Sequence, residues 1–216
     1  MRMSEMFVKC NELAYQSAGH DVNYAFIEDR RHLQIYFQGS SSTTDWVRNF
    51  MFRKKPYKDM KQPYYVHRGF CDAWKEVEDI IIAKVTEKAK DGTFKWQNIE
   101  VIGYSHGAAL AAFCHECVWF HRLDLRAKGL ESYAFEAPRI MAQWHISKSL
   151  RSRWSSFTVI RNHIDIVTYC PPALLGYRHV GSILHIGKHK SYGPIKSHYP
   201  DKVKESLAEY EAKQER

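Results

Sequence analysis

The sequence predicts an α/β fold, with a mostly parallel central sheet and helices on both faces. Strand-like and helix-like segments alternate through the middle of the 216-residue chain, as crossover connections require. The run NIEVIGY, residues 98–104, reads as a buried strand and passes at once into a long helical pattern. Hydrophobic residues make up 44% of the chain and charged residues 26%, a balance that builds a core and excludes a disordered chain. With no internal repeat and no Gly/Ser/Pro-rich linker, residues 1–216 are expected to form one domain.

Each element has its own warrant. Residues 5–17 form a helical pattern with Met6, Cys10, Leu13 and Ala14 on one face. Residues 22–27 and 32–38 are β-rich and separated by charges, which suggests a hairpin or two adjacent strands. Thr43, Thr44 and Asp45 offer a cap for a short helix carrying Trp46, Val47, Phe50 and Met51. In residues 70–90, Phe70, Ala73, Trp74, Val77, Ile80, Ile81 and Val85 recur at helical spacing, and Asp91-Gly92 stops the run. After the strand at 98–104 a second long helix puts Leu110, Phe113, Cys114, Cys117 and Phe120 on one stripe. Residues 131–135 and 156–161 read as strands, with a helix expected over 138–150 between them. Residues 177–187 suggest a last strand or hairpin. Pro200 and Asp201 open a final helix with Val203, Leu207 and Tyr210 inward. In such sheets ligands bind at the carboxyl ends of the strands.

Composition narrows the function classes. The formal charge is +8, with the basic residues scattered along the chain. That suits a solvated basic surface or attraction to anionic lipid, while no nucleic-acid-binding motif is present. No run approaches the roughly 18 apolar residues of a transmembrane segment. The opening residues MRMSEMFVKCNELAYQSAG lack an apolar leader core, and the five cysteines are odd in number. Both features point to free thiols and a cytoplasmic location. Cys114 and Cys117 form a single CxxC pair without a second ligand pair, so buried helix thiols compete with a metal or redox site.

Gly103-Tyr104-Ser105-His106-Gly107 is a GxSxG pentapeptide between the strand and the helix. A serine on a tight strand-to-helix turn has its hydroxyl pushed outward, and flanking glycines let strand and helix approach. The helix N-terminus offers N–H groups to a developing oxyanion. The pentapeptide recurs by chance; its strand–helix context makes Ser105 a candidate nucleophile in an α/β-hydrolase fold.

A serine needs a base, and the base needs an orienting acid, in the chain order Ser, acid, His. Asp165 follows the strand 156–161 in RNHIDIVTYCPP, at a strand's carboxyl end, where a plain loop or capping role competes. The histidines beyond it are His179, His185, His189 and His198. His198, in the loop before the last helix, is the best placed to reach the rim, with His179 second.

Taken together, these motifs resemble the class 3 lipases, the family of the fungal triacylglycerol lipases. IYFQGSSSTTDWVRNF resembles their strand, glycine turn and following helix, and YVHRGF the segment leading into the long helix. VIGYSHGAAL resembles the nucleophile turn, AFEAPRI the FGxPRVG block, and IRNHIDIVTYCPP the segment of the catalytic aspartate. YRHVG resembles a structural stretch and KSHYP the terminal histidine segment, so the likeness runs in order from about residue 20 to 200. The resemblance implies an α/β-hydrolase fold and Ser105, Asp165 and His198 as triad, with His179 structural. It adds an oxyanion hole at Ser40 and His106. The sequence departs at His106, where the family has Leu, at Ala108, where it has a second Gly, and at Glu136, where it has Gly. It also lacks the signal and disulfides of the secreted members.

The activity implied is hydrolysis of lipid or small acyl esters through an acyl-enzyme, without metal or cofactor. Residues 44–51, beside Tyr57, Met60, Tyr64 and Tyr65, are a candidate lid over the site; a fixed core helix is the other reading. The rivals are a catalytically silent lipase-like protein that binds a lipid or partner, and a nucleic-acid-binding protein.

Overall fold

The computed structural model describes residues 1–20, 22–39, 52–57, 64–188 and 192–215. Helix α1 (Met3–Glu12) leads into strands β1 (Gln16–Ala18), β2 (Val22–Asp29) and β3 (His32–Phe37). A two-stranded pair follows, β4 (Lys54–Tyr57) and β5 (Tyr64–His67), then helix α2 (Arg68–Val85). Strand β6 (Asn98–Tyr104), helix α3 (His106–His121) and strand β7 (Leu130–Phe135) form the centre. The short helix α4 (Lys148–Arg151), strands β8 (Phe157–Asn162) and β9 (Ser182–Ile186), and helix α5 (Pro200–Gln214) complete the chain.

The main sheet runs β1-β2-β3-β6-β7-β8-β9. β1 to β3 are antiparallel, and every pair from β3 to β9 is parallel. The parallel part follows from the crossovers, because a strand returning through a helix must run the same way.

Alternation along the strands builds two cores. Leu33, Ile35, Ile99, Val101, Ala134 and Val159 face α2 and α3. Tyr36, Ile102, Tyr104, Phe135 and Ile160 face Met6, Phe7 and Cys10 of α1 and Val203 and Leu207 of α5. Burying each large side chain contributes about 1.5–3 kcal/mol. Among the described residues no helix is long and apolar enough to cross a membrane.

Several elements differ from expectation. The helix predicted over 5–17 stops at Glu12, because Gln16–Ala18 pairs with β2 instead. α2 ends at Val85: Thr86 bonds back to the carbonyl of Ile82, and residues 88–94 turn on themselves. Asp91-Gly92 therefore sits in that turn. Arg122, wholly buried, then holds the carbonyls of Val85 and Trp96. α3 is buried on all sides from His106 to Val118, because α2 covers the face away from the sheet.

The helix predicted over 138–150 is confined to Lys148–Arg151. Upstream, Met141 bridges Val66 on one side and Arg178 on the other, so backbone pairing wins over helix. Residues 182–186 form a parallel edge strand and no hairpin. β4 and β5 were not anticipated. Of the aromatics expected beside the candidate lid, Tyr57 and Tyr64 are buried against Phe113 and Trp154, and Tyr65 is exposed.

Candidate active site

Ser105 follows the last residue of β6 and caps α3 at φ 55°, ψ −120°, a conformation that L-residues adopt only under constraint. The constraint is steric. A Cβ on Gly103 would lie 2.3 Å from the Gly107 carbonyl oxygen, and one on Gly107 would lie 2.2 Å from that of Phe37. Strand and helix can meet this closely only through two hydrogens. The amide of Ser105 donates to the Phe135 carbonyl at 2.9 Å, tying the turn to β7.

Asp165 sits in the loop beyond β8, with no exposed surface. Its Oδ1 accepts from the Val167 amide at 2.9 Å, so a backbone donor fixes the carboxylate. Its Oδ2 lies 2.7 Å from His198 Nδ1, and His198 Nε2 lies 2.9 Å from Ser105 Oγ. The structure thus brings Ser105, His198 and Asp165 into one hydrogen-bonded line at the carboxyl ends of β6 and β8, all three buried. His179 lies apart, its Nε2 on the Thr168 carbonyl at 2.8 Å.

Three further residues hold this line, and sequence reasoning missed their roles. Tyr104 donates its hydroxyl to the His198 carbonyl and stacks its ring on the imidazole, centroids 5.2 Å apart. Asn162 donates its side-chain amide to the Ser197 carbonyl at 2.8 Å, anchoring the loop that carries His198. Neither position has a sequence signature, since any residue fits the x of GxSxG.

The third is Glu136, noticed only as a departure at a family glycine. Its φ of 53° explains why glycine suits the position. The side chain is completely buried, and Oε1 accepts from the Asn162 amide at 2.8 Å. Glu136, Asp165 and His198 present ligand-type atoms within 4.8 Å of one another. Both imidazole nitrogens are already engaged, with Ser105 and Asp165.

Burial first, then the charge of Asp165, pushes the Glu136 carboxyl well above its ordinary 4.5. A group raised in this way takes up a proton on folding between pH 4.5 and its higher folded value, so its contribution to stability is lost as pH rises through that window. In urea unfolding followed upward from pH 4.5, the wild type is expected to lose up to about 1.4 kcal/mol per pH unit from this group until it ionises in the folded protein, and Glu136→Gln to lack that slope. Parallel slopes would mean that Glu136 is ionised in the folded protein.

The other candidates fall outside this cluster. Ser40 and residues 44–51 and 60 lie outside the described residues. His106 is buried at the start of α3, its ring tilted against Phe70. Cys114 and Cys117 lie in the core, where burial raises both thiols, so packing accounts for the CxxC pair. His115 between them, lowered to about 3 by burial, bonds Ser132 and the Arg153 carbonyl.

A lipase of Rhizomucor miehei is 28% identical over 158 residues, 71% of this chain and 41% of its own. The secreted mono- and diacylglycerol lipase 1 of Fusarium solani is 29% identical over 153 residues, 69% of this chain and 42% of its own. The chain therefore spans less than half the length of these curated relatives. The solved Rhizomucor miehei triacylglyceride lipase superposes with a TM-score of 0.66 at 25% identity, covering 81% of this chain and 66% of that one. A triacylglycerol lipase described as having a serine protease triad superposes at 0.68 and 26% identity, covering 80% and 65%. These neighbours share the α/β-hydrolase fold.

The cytoplasmic location expected above is corrected by these relatives, since the Fusarium one is named as secreted. Thiols outside a disulfide do not mark a compartment here: Cys10, Cys71, Cys114 and Cys117 are buried, and packing shields them from oxidants wherever the protein resides. The family profile described as Lipase (class 3) matches residues 34–175, well over half of the chain, and the protein belongs to the class 3 lipase family.

Proposed function

We propose that this chain is a serine carboxylester hydrolase that cleaves acyl esters of lipids, with Ser105 as nucleophile, His198 as base and Asp165 as orienting acid. The observation that carries this reading is the continuous hydrogen-bonded line from Asp165 through His198 to a serine held at positive φ. The relatives' names supply the substrate class: one is a lipase and the other acts on mono- and diacylglycerols.

The chemistry follows from the proton positions. His198 carries its proton on Nδ1, donated to Asp165, which leaves Nε2 free to take the Ser105 proton. As that proton moves, Ser105 Oγ bonds to the ester carbonyl carbon, and the carbonyl oxygen becomes an oxyanion. The imidazolium then protonates the departing alcohol, leaving an acyl-serine. Water attacks this ester with His198 again as base, releasing the acid and restoring Ser105.

The oxyanion is assigned to the backbone N–H of His106, in the first turn of α3, and to Ser40. The amide of Ser105 is occupied by Phe135 and takes no part. Losing one oxyanion donor costs roughly 3 kcal/mol of transition-state stabilisation.

Turnover of p-nitrophenyl esters from short to long acyl chains tests the reading, together with mass spectrometry after a serine-reactive phosphonate. Hydrolysis is expected, with a single adduct on Ser105 and a preference for longer acyl chains. No turnover and no adduct would leave a silent protein that binds a lipid or a partner.

A further inference from the structure

We propose that a cleft beside the edge strand binds a phosphate group. The cleft measures about 590 Å³ and is lined by Arg139, Arg151, Arg161, Arg178, Trp144 and Trp154 among others, with no Asp or Glu among the described residues of its wall. It opens where the start of β9, the segment 173–181 and the stretch 139–155 meet.

Arg161 lies at its floor, only 7% exposed. Its Nε donates to Thr168 Oγ1 at 3.1 Å and its guanidinium lies over the Tyr169 ring. Its Nη2 is buried and has no hydrogen-bond partner. A buried guanidinium donor left unpaired costs free energy that a bound acceptor would recover.

The neighbouring arginines are held by one edge each. Arg139 Nη1 donates to the Tyr169 and Pro171 carbonyls at 2.7 and 3.0 Å. Arg178 Nη1 donates to the Ala173 and Tyr177 carbonyls at 2.9 and 2.8 Å, with its guanidinium over Trp144. These carbonyl contacts orient the forks and neutralise none of the charge.

Among the described residues, no carboxylate pairs with Arg139, Arg151, Arg161 or Arg178. Glu136 and Asp165, the acids nearest in the chain to Arg139 and Arg161, are committed to Asn162, Val167 and His198. Burial first, and then the charges of Arg161 and Arg178, lower the Arg139 guanidinium from its ordinary value. Burial and the same cluster push His179 down to about 3, so it stays neutral.

The cluster is therefore a half-buried set of like charges with no ion-paired carboxylate among the described residues, although buried Glu136 feels the charge of Arg161. A tetrahedral dianion matches several guanidinium forks at once, which a lone carboxylate does not. The phosphate has two possible sources, a lipid headgroup or a soluble phosphate. Trp144 in its wall is 64% exposed, and Leu174, next in the chain to the lining residue Ala173, is 87% exposed, apolar surface that favours the headgroup.

The test uses the whole chain carrying Ser105→Ala, so that lipid is not consumed. Co-sedimentation compares vesicles of phosphatidylcholine with and without phosphatidic acid. A second arm titrates inorganic phosphate and follows tryptophan fluorescence. Arg161→Gln and Arg178→Gln are compared with Lys128→Gln, an exposed charge just before β7. Circular dichroism confirms that each variant folds, and Arg178, half-exposed, keeps the test valid if Arg161→Gln does not.

Each arginine variant is expected to weaken phosphatidic acid vesicle binding about tenfold, with Lys128→Gln near wild type. Arginine-dependent binding of inorganic phosphate without vesicle preference would also support the site and assign the soluble source. Binding that Lys128→Gln weakens as much as the arginine variants, or no binding in either arm, would overturn it.

Discussion

Ser105→Ala is expected to lower turnover of a p-nitrophenyl ester by about a millionfold while leaving the fold intact. The hydroxyl is buried, 2.9 Å from His198 Nε2, and nothing else in that line can form the acyl bond. Asp165→Asn should lose about 10⁴-fold, because the amide presents a donor to Nδ1 and favours the wrong tautomer. The double variant should be little worse than Ser105→Ala alone, since residues acting as a unit do not add. Pre-steady-state release of p-nitrophenol reads the effect, with a burst in the wild type and none in Ser105→Ala. A loss under a hundredfold in Ser105→Ala would move the nucleophile elsewhere.

The second large effect concerns folding. Gly107→Ala is expected to destabilise the protein by about 3 kcal/mol, because the added Cβ meets backbone that no rotamer can clear. The Phe37 and Gln38 carbonyl oxygens would lie 2.2 and 2.6 Å away. Either β3 or α3 must shift, and α3 is packed on all sides. In a chain of this size that loss lowers Tm by roughly 6–12 °C. Calorimetry of the variant measures it, and an unchanged Tm would mean that the elbow is looser than its geometry.

Both effects trace to residues that could be read directly. GxSxG lies between a strand and a helix of strong periodicity, so the elbow and the parallel centre of the sheet were legible. Asp165 and His198 were legible as candidates, with the choice of His198 over His179 resting on loop position and family likeness. What was hidden is tertiary. Met141 pairs on both sides at once, and that pairing dissolves a helix that propensity favours. β4 and β5 form because Tyr57 and Tyr64 find Phe113 and Trp154, contacts no local pattern encodes. Tyr104, Asn162 and Glu136 are functional neighbours only through strands far apart in sequence.

The sheet also sets an order of assembly. Ser105 and His198 are separated by 93 positions, and Ser4 of α1 is clasped to Glu211 of α5 at 3.0 and 2.5 Å. A chain emerging from the ribosome can form the elbow and pack α2 on α3 long before His198 is available. Contacts of such long range close slowly, so recovery of activity on refolding trails the burial of the central tryptophans. On the proposed function, Ser105 therefore gains its base only once the last segment of the chain has docked.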